Sequence, residues 1–187
     1  MEFQYMVSGH ERSTNDSTIY TAACLEDLTI PDGKYYLADA GFGVCNTLLV
    51  PYRGVRYHLH EWRHANIMPC NREELFNLHH ARACNVIERI FGVVKEQWDI
   101  LNQTPSFDMS VQAQIPAALA ALHNFILKHD QNDIQSQFED PDIADPFPGE
   151  CNYSGILVDG YVTPAEQAWA KERRDSIAQK MWEDYQI

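Results

Sequence analysis

No run in this 187-residue chain approaches the roughly 18 consecutive apolar residues that a membrane span requires. The opening Met1-Glu2-Phe3-Gln4 also lacks the basic start of a secretory leader, so the sequence reads as soluble and intracellular with no membrane partner. Cysteine is scarce and badly spaced for structural chemistry. Cys24, Cys45, Cys70, Cys84 and Cys151 are odd in number and include no Cys-x-x-Cys pair, which disfavours a disulfide framework or a zinc finger and leaves free thiols. An excess of positive charge is missing too: 14 Lys and Arg face 27 Asp and Glu, a formal net charge of −13. That is the wrong sign for a protein whose whole surface follows phosphates. There is no basic patch with interleaved aromatics, no legible helix-turn-helix and no internal repeat.

What is present is a chain of ordinary globular composition, 45% hydrophobic, long enough for one domain with a short appendage. Its acidity is uneven. From Asp130 to the C-terminus thirteen acidic residues face four basic ones, whereas Lys34 to Lys95 is close to neutral and carries Arg53, Arg56, Arg63, Arg72, Arg82 and Arg89. Any contact with DNA falls to that block.

Residues 3 to 8 alternate weakly and predict a strand, followed by a turn over Gly9 to Asp16 and a helix over about Ser17 to Glu26. Pro31-Asp32-Gly33 is a turn signal. The aromatic-rich stretch after it, Lys34 to Ala38, predicts a buried strand, with Asp39 at its C-terminal end, where open α/β sheets place their chemistry. Thr47 to Val50 is a second candidate strand. Apolar residues at helical spacing predict a long helix over about Glu73 to Trp98, with Glu88 in its middle and Ala81, Cys84, Asn85 and Gly92 forming a strip of small side chains around it. Glycine costs roughly 1 kcal/mol in a helix interior, which predicts a packing reason for Gly92.

A further helix is expected over Ser110 to Lys128, with Pro116 as a kink or as its first turn. Residues 130 to 162 are acidic and punctuated by proline, as in Asp145-Pro146-Phe147-Pro148-Gly149, and read as a linker. Thr163-Pro164-Ala165-Glu166 is a capping box opening a final helix. The expected organisation is thus 1–129 as a domain, 130–162 as a linker and 163–187 as a C-terminal helix.

Asp39 and Glu88, 49 residues apart, each sit in mostly apolar sequence, where a carboxylate needs a partner or a metal ion. The eight histidines include His58, His60 and His64, and the adjacent His79 and His80. His60 and His64 could ligate zinc from a helix, but they lack the His-Glu-x-x-His order and read better as a histidine-bearing surface loop. Asp16 reads as the cap of the helix that follows it, and otherwise as a carboxylate available to a metal site.

Five blocks carry a resemblance: Tyr35-Tyr36-Leu37-Ala38-Asp39-Ala40-Gly41-Phe42; Pro51-Tyr52-Arg53-Gly54-Val55-Arg56-Tyr57-His58; Glu74-Leu75-Phe76-Asn77-Leu78; Asn85-Val86-Ile87-Glu88-Arg89-Ile90-Phe91-Gly92; and Ala121-Leu122-His123-Asn124-Phe125-Ile126. In order and spacing they resemble the DDE-type endonuclease of the PIF/Harbinger transposases, over about Phe3 to His129. The resemblance implies an α/β fold: an incomplete ribonuclease H-like domain, its mixed sheet lacking the first strands and flanked by helices, with a C-terminal helical tail. It further implies DNA phosphodiester cleavage by two divalent ions, Mg²⁺ or Mn²⁺, held by three carboxylates.

Carried over, Asp39 is the second carboxylate and Glu88 the third, as both catalytic and metal ligands. The first, from an Asp-Gly-Thr-His type strand, has no counterpart in these residues, which implies impaired catalysis. Arg12 replaces the usual glycine of the Gly-Ser-x-x-Asp turn while Asp16 is kept, and Phe42 stands where tyrosine is usual. Arg53, Arg56, Arg82 and Arg89 are the candidate nucleic-acid contacts. DNA binding is then weak or dependent on a missing region, a separate DNA-binding partner protein supplies target choice, and a working protein acts in the nucleus. The alternative is a catalytically inactive transposon-derived fragment that binds protein or nucleic acid.

Overall fold

The structure is a computed structural model that describes residues 2–10, 14–59, 62, 68–103, 106–130 and 162–187. The helices α1 (Asp16–Glu26), α2 (Arg72–Gln97), α3 (Met109–His129) and α4 (Pro164–Tyr185) dominate it, with two short strands, β1 (Tyr36–Leu37) and β2 (Leu48–Leu49), and one 3-10 turn at Asp99–Leu101. The architecture is mixed α and β, dominated by helix. The chain forms two compact units, one of residues 1–14 and 85–146, the other of residues 15–84 and 147–187, with the boundary inside α2. No helix among the described residues is long and apolar enough to cross a membrane.

The second unit holds the sheet. β1 and β2 pair in parallel, Tyr36 with Leu48 and Leu37 with Leu49. Parallel pairing puts the C-terminal ends of both strands on one side, so the segment after Leu37, which carries Asp39, and the segment after Leu49, which carries Arg53, emerge together. Tyr20, Ala38, Cys45, Leu48 and Val50 are buried on one another beneath α1, with Phe42 packed against them. A second cluster joins Leu49, Phe76 and Ala178, so α4 packs with α2 and β2 in one core.

Ala178 and Ala170 are 0% and 1% exposed, small enough to bring the α4 backbone close to its neighbours. Arg174 completes the docking, donating to Pro51 O at 3.2 Å and lying 4.0 Å from the Tyr52 ring, while Tyr52 donates its hydroxyl to Asp175 at 2.6 Å. The Thr163–Glu166 capping box forms in full, with Pro164 in the first turn.

Asn77, 0% exposed, is the polar centre of this unit. Its carboxamide oxygen accepts from Tyr52 N at 2.8 Å, and its amino group donates to Tyr52 O, Val55 O and Arg56 O. One side chain thereby satisfies a loop backbone that has no ladder of its own. His80, one turn along α2, meets Leu49 O at 3.0 Å through Nε2 and the Tyr57 hydroxyl at 3.2 Å through Nδ1. With Nε2–H donated to the carbonyl, Nδ1 accepts from Tyr57.

In the first unit, residues 2–10 form no strand, contrary to the alternating pattern. The backbone of Phe3 pairs instead with the Asn124 side chain, N–H to Oδ1 at 2.9 Å and Nδ2–H to O at 2.7 Å. A side-chain amide satisfies what a neighbouring strand would have. Phe3 also stacks edge-on against Phe91 and the buried His123 ring. α3 begins at Met109, so Pro116 stands inside the helix and does not open it. The linker at 131–161, His60, His64, Arg63, Arg12 and Cys151 lie outside the described residues. Cys24, Cys45, Cys70 and Cys84 take part in no disulfide.

Candidate metal centre

Asp39 follows β1 by two residues on a turn that every neighbouring element fixes. Its Oδ1 accepts from Gly41 N at 2.7 Å, and its backbone carbonyl accepts from Phe42 N at 3.3 Å. Ser17 Oγ, buried at the start of α1, donates to Gly41 O at 3.3 Å. Arg53 Nη2 donates to both Ala40 O at 3.0 Å and Phe42 O at 3.1 Å. Three successive carbonyls are thus held by side chains, and the Asp39 carboxylate is left at the surface.

A second carboxylate stands beside it. A Cβ placed on Gly41 would meet Asp39 Oδ1 at 2.9 Å and Asp16 Oδ2 at 3.2 Å, so the two acids converge on the open side of this glycine. The sequence assigned Asp16 to capping, and the structure corrects that. Asn15 is the cap, accepting from Ser17 N through Oδ1 at 2.9 Å, and Asp16 is the first helical residue. Partial burial and then the charge of Asp39 raise the Asp16 pKa from its ordinary value. Like charges held close favour the proton on one of them.

Glu88 is exposed on the stretch of α2 that belongs to the other unit. Gly92 is exposed as well, and a Cβ there would meet nothing within 4 Å among the described residues, so the expected packing reason for it is absent. Of the arginines, Arg53 is engaged with the Asp39 turn, and Arg56 lies over the Trp62 ring at 4.9 Å. Arg82 is exposed and Arg89 half-buried.

The buried His80 is held neutral: desolvation lowers its pKa, against the opposing pull of Leu49 O and the Asp39 charge. His79 shifts the same way, from burial and the Arg82 charge. His80 serves the fold, and no group of three or more His, Cys, Asp or Glu that could hold a metal occurs among the described residues. Asp39 with Asp16 is a pair of hard oxygen donors with glycine-made space between them. It fits Mg²⁺ or Mn²⁺, since magnesium is held by one or two carboxylates and keeps several waters.

An exposed carboxylate thus stands on a pinned turn at the end of a parallel strand, with a second acid alongside. Residues 1–124 match the model of the DDE superfamily endonuclease family, and the chain belongs to that family. No curated protein and no solved structure matches it.

Proposed function

We propose that this chain is a transposase-type nuclease domain of the PIF/Harbinger kind, acting on DNA through a divalent metal held by Asp39 and Glu88. Family membership supports a DNA substrate and divalent-metal chemistry. The observation that carries the reading is the Asp39 turn, whose backbone is fixed by Ser17 and Arg53 while its carboxylate stays exposed beside Asp16. A bound ion there would polarise the phosphate and activate water. Asp39 and Glu88 are the proposed carboxylate ligands, and Asp16 is a further acid beside Asp39.

In this reading the domain is ribonuclease H-like, spans 1–129, and is followed by the 130–162 linker and the α4 helix. Catalysis is impaired in this reading wherever the Asp-Gly-Thr-His ligand is not supplied. Arg53, Arg56, Arg82 and Arg89 are its candidate nucleic-acid contacts, a partner protein reads the target, and the site of action is the nucleus.

The test is nicking of supercoiled plasmid with Mg²⁺ or Mn²⁺ by the wild-type chain, Asp39→Asn and Glu88→Gln. Metal-dependent nicking that falls about tenfold or more in both variants is expected. Equal nicking by all three would remove the site and favour the alternative, a catalytically silent module that binds protein or nucleic acid.

A further inference from the structure

Arg53 looks from sequence like a phosphate contact, yet its guanidinium is turned back onto the chain. A single nitrogen, Nη2, donates to Ala40 O at 3.0 Å and Phe42 O at 3.1 Å, the carbonyls on either side of Gly41. Gly41 O is taken by Ser17, and Gly41 N–H by Asp39 Oδ1 at 2.7 Å. The turn lies outside both strands, and these side-chain bonds add to its one internal backbone bond, Phe42 N–H to Asp39 O. Charge-assisted bonds are the stronger kind, and Arg53 supplies two of them. The parallel register brings Arg53 to this end of the sheet, and Gly54, with φ of 71°, turns the chain directly after it.

We infer that Arg53 is the positioning residue of the Asp39 turn: it fixes the Ala40 and Phe42 carbonyls so that Gly41 N–H orients the Asp39 carboxylate. The consequence for metal binding rests on the reading of Asp39 as a ligand, whereas the clamp itself does not. Electrostatics alone gives the opposite expectation. A guanidinium near a cation site repels the ion, so removing it should tighten binding unless its hold on the turn matters more.

The experiment uses the full chain as wild type, Arg53→Ala, Arg53→Lys and Asp39→Asn, with two readouts. The first, without metal, is the amide resonance and hydrogen exchange of Gly41 by NMR, with α2 amides as the control for folding. The second is Mn²⁺ binding followed by electron paramagnetic resonance. Arg53→Ala should shift the Gly41 amide, speed its exchange while α2 stays protected, and raise the Mn²⁺ half-saturation concentration about tenfold. Arg53→Lys keeps the charge and a donor, and should restore much of both.

A Gly41 amide unchanged in Arg53→Ala overturns the inference, as does Mn²⁺ binding that is unaltered or tighter in that variant while Asp39→Asn abolishes it. If Asp39→Asn leaves Mn²⁺ binding intact, the metal reading falls, and Gly41 protection still decides the clamp. If the alanine variant does not fold, the lysine variant is read in the same two ways.

Discussion

The hydroxyl of Ser17, one residue after Asp16, donates to the carbonyl of Gly41, two residues after Asp39. This bond ties the first turn of α1 to the turn behind β1, where the oxygens of both aspartates lie close to Gly41. A methyl group on Gly41 would enter the space beside their oxygens, 2.9 Å from Asp39 Oδ1 and 3.2 Å from Asp16 Oδ2.

Filling that space is the most direct probe. In Gly41→Ala the new methyl displaces the ends of two short side chains and no backbone atom, so the thermal midpoint should move little. The Asp39 carboxylate is expected to rotate away, weakening Mn²⁺ binding about tenfold. Calorimetry and a Mn²⁺ titration on the same sample separate the two effects. Metal binding equal to wild type would show that the oxygens do not act at this spot.

Stability of the second unit should depend on pH through His80. Its folded-state pKa lies below the ordinary 6.5, so between the two values the unfolded chain binds more protons and unfolding gains from acid. The contribution is fully present above 6.5 and is lost as pH falls through the folded-state value. Melting curves across that range should show the midpoint falling with acid, and NMR of His80 Cε1–H should give a midpoint below that of a free imidazole. A His80 that titrates at or above the ordinary value would refute this.

Asn77→Ala should be among the most damaging single changes in the unit. It leaves Tyr52 N–H and three backbone carbonyls without their shared partner, at about 2 to 4 kcal/mol, because each buried group left unmatched bears its desolvation cost. Denaturant titration of the variant reads the loss. A change under about 1 kcal/mol would mean that water replaces the amide.

The final helix belongs energetically to the second unit, although it lies beyond the family match. Thr163→Ala should cost about 1 kcal/mol through the lost cap. Ala178→Leu should cost about 1 to 3 kcal/mol by forcing a larger side chain against Leu49 and Phe76. Chemical denaturation should report both as a lower midpoint with an unchanged slope. Loss of α4 signal before the rest of the unit unfolds would contradict this coupling.

Helices were the legible part of the chain, since their signals are local. The period of Leu75, Leu78, Ile90 and Val94 and the Thr163 capping box place α2 and α4 to within a residue or so of their observed ends. The place of Asp39 just past a strand was legible from the turn signals on either side, although that strand is only Tyr36–Leu37 and half-exposed where a longer, buried one was expected.

What could not be read depends on contacts far along the chain. Residues 3 to 8 carry a strand pattern, but a strand needs a neighbouring ladder, and the partner here is the side chain of Asn124, 121 positions away. Asn15 and Asp16 are both good caps by sequence, and the structure gives the cap to Asn15 while Asp16 lies near Gly41, a residue 25 positions further along the chain. Arg53 offered no local hint of its work, since a parallel register had to bring it beside Ala40.

The pairing of Phe3 with Asn124 joins positions near the two limits of the 1–124 family segment. Cutting that clasp frees the Phe3 amide and carbonyl together, so the leading segment should come away from α3 before the helix itself gives way.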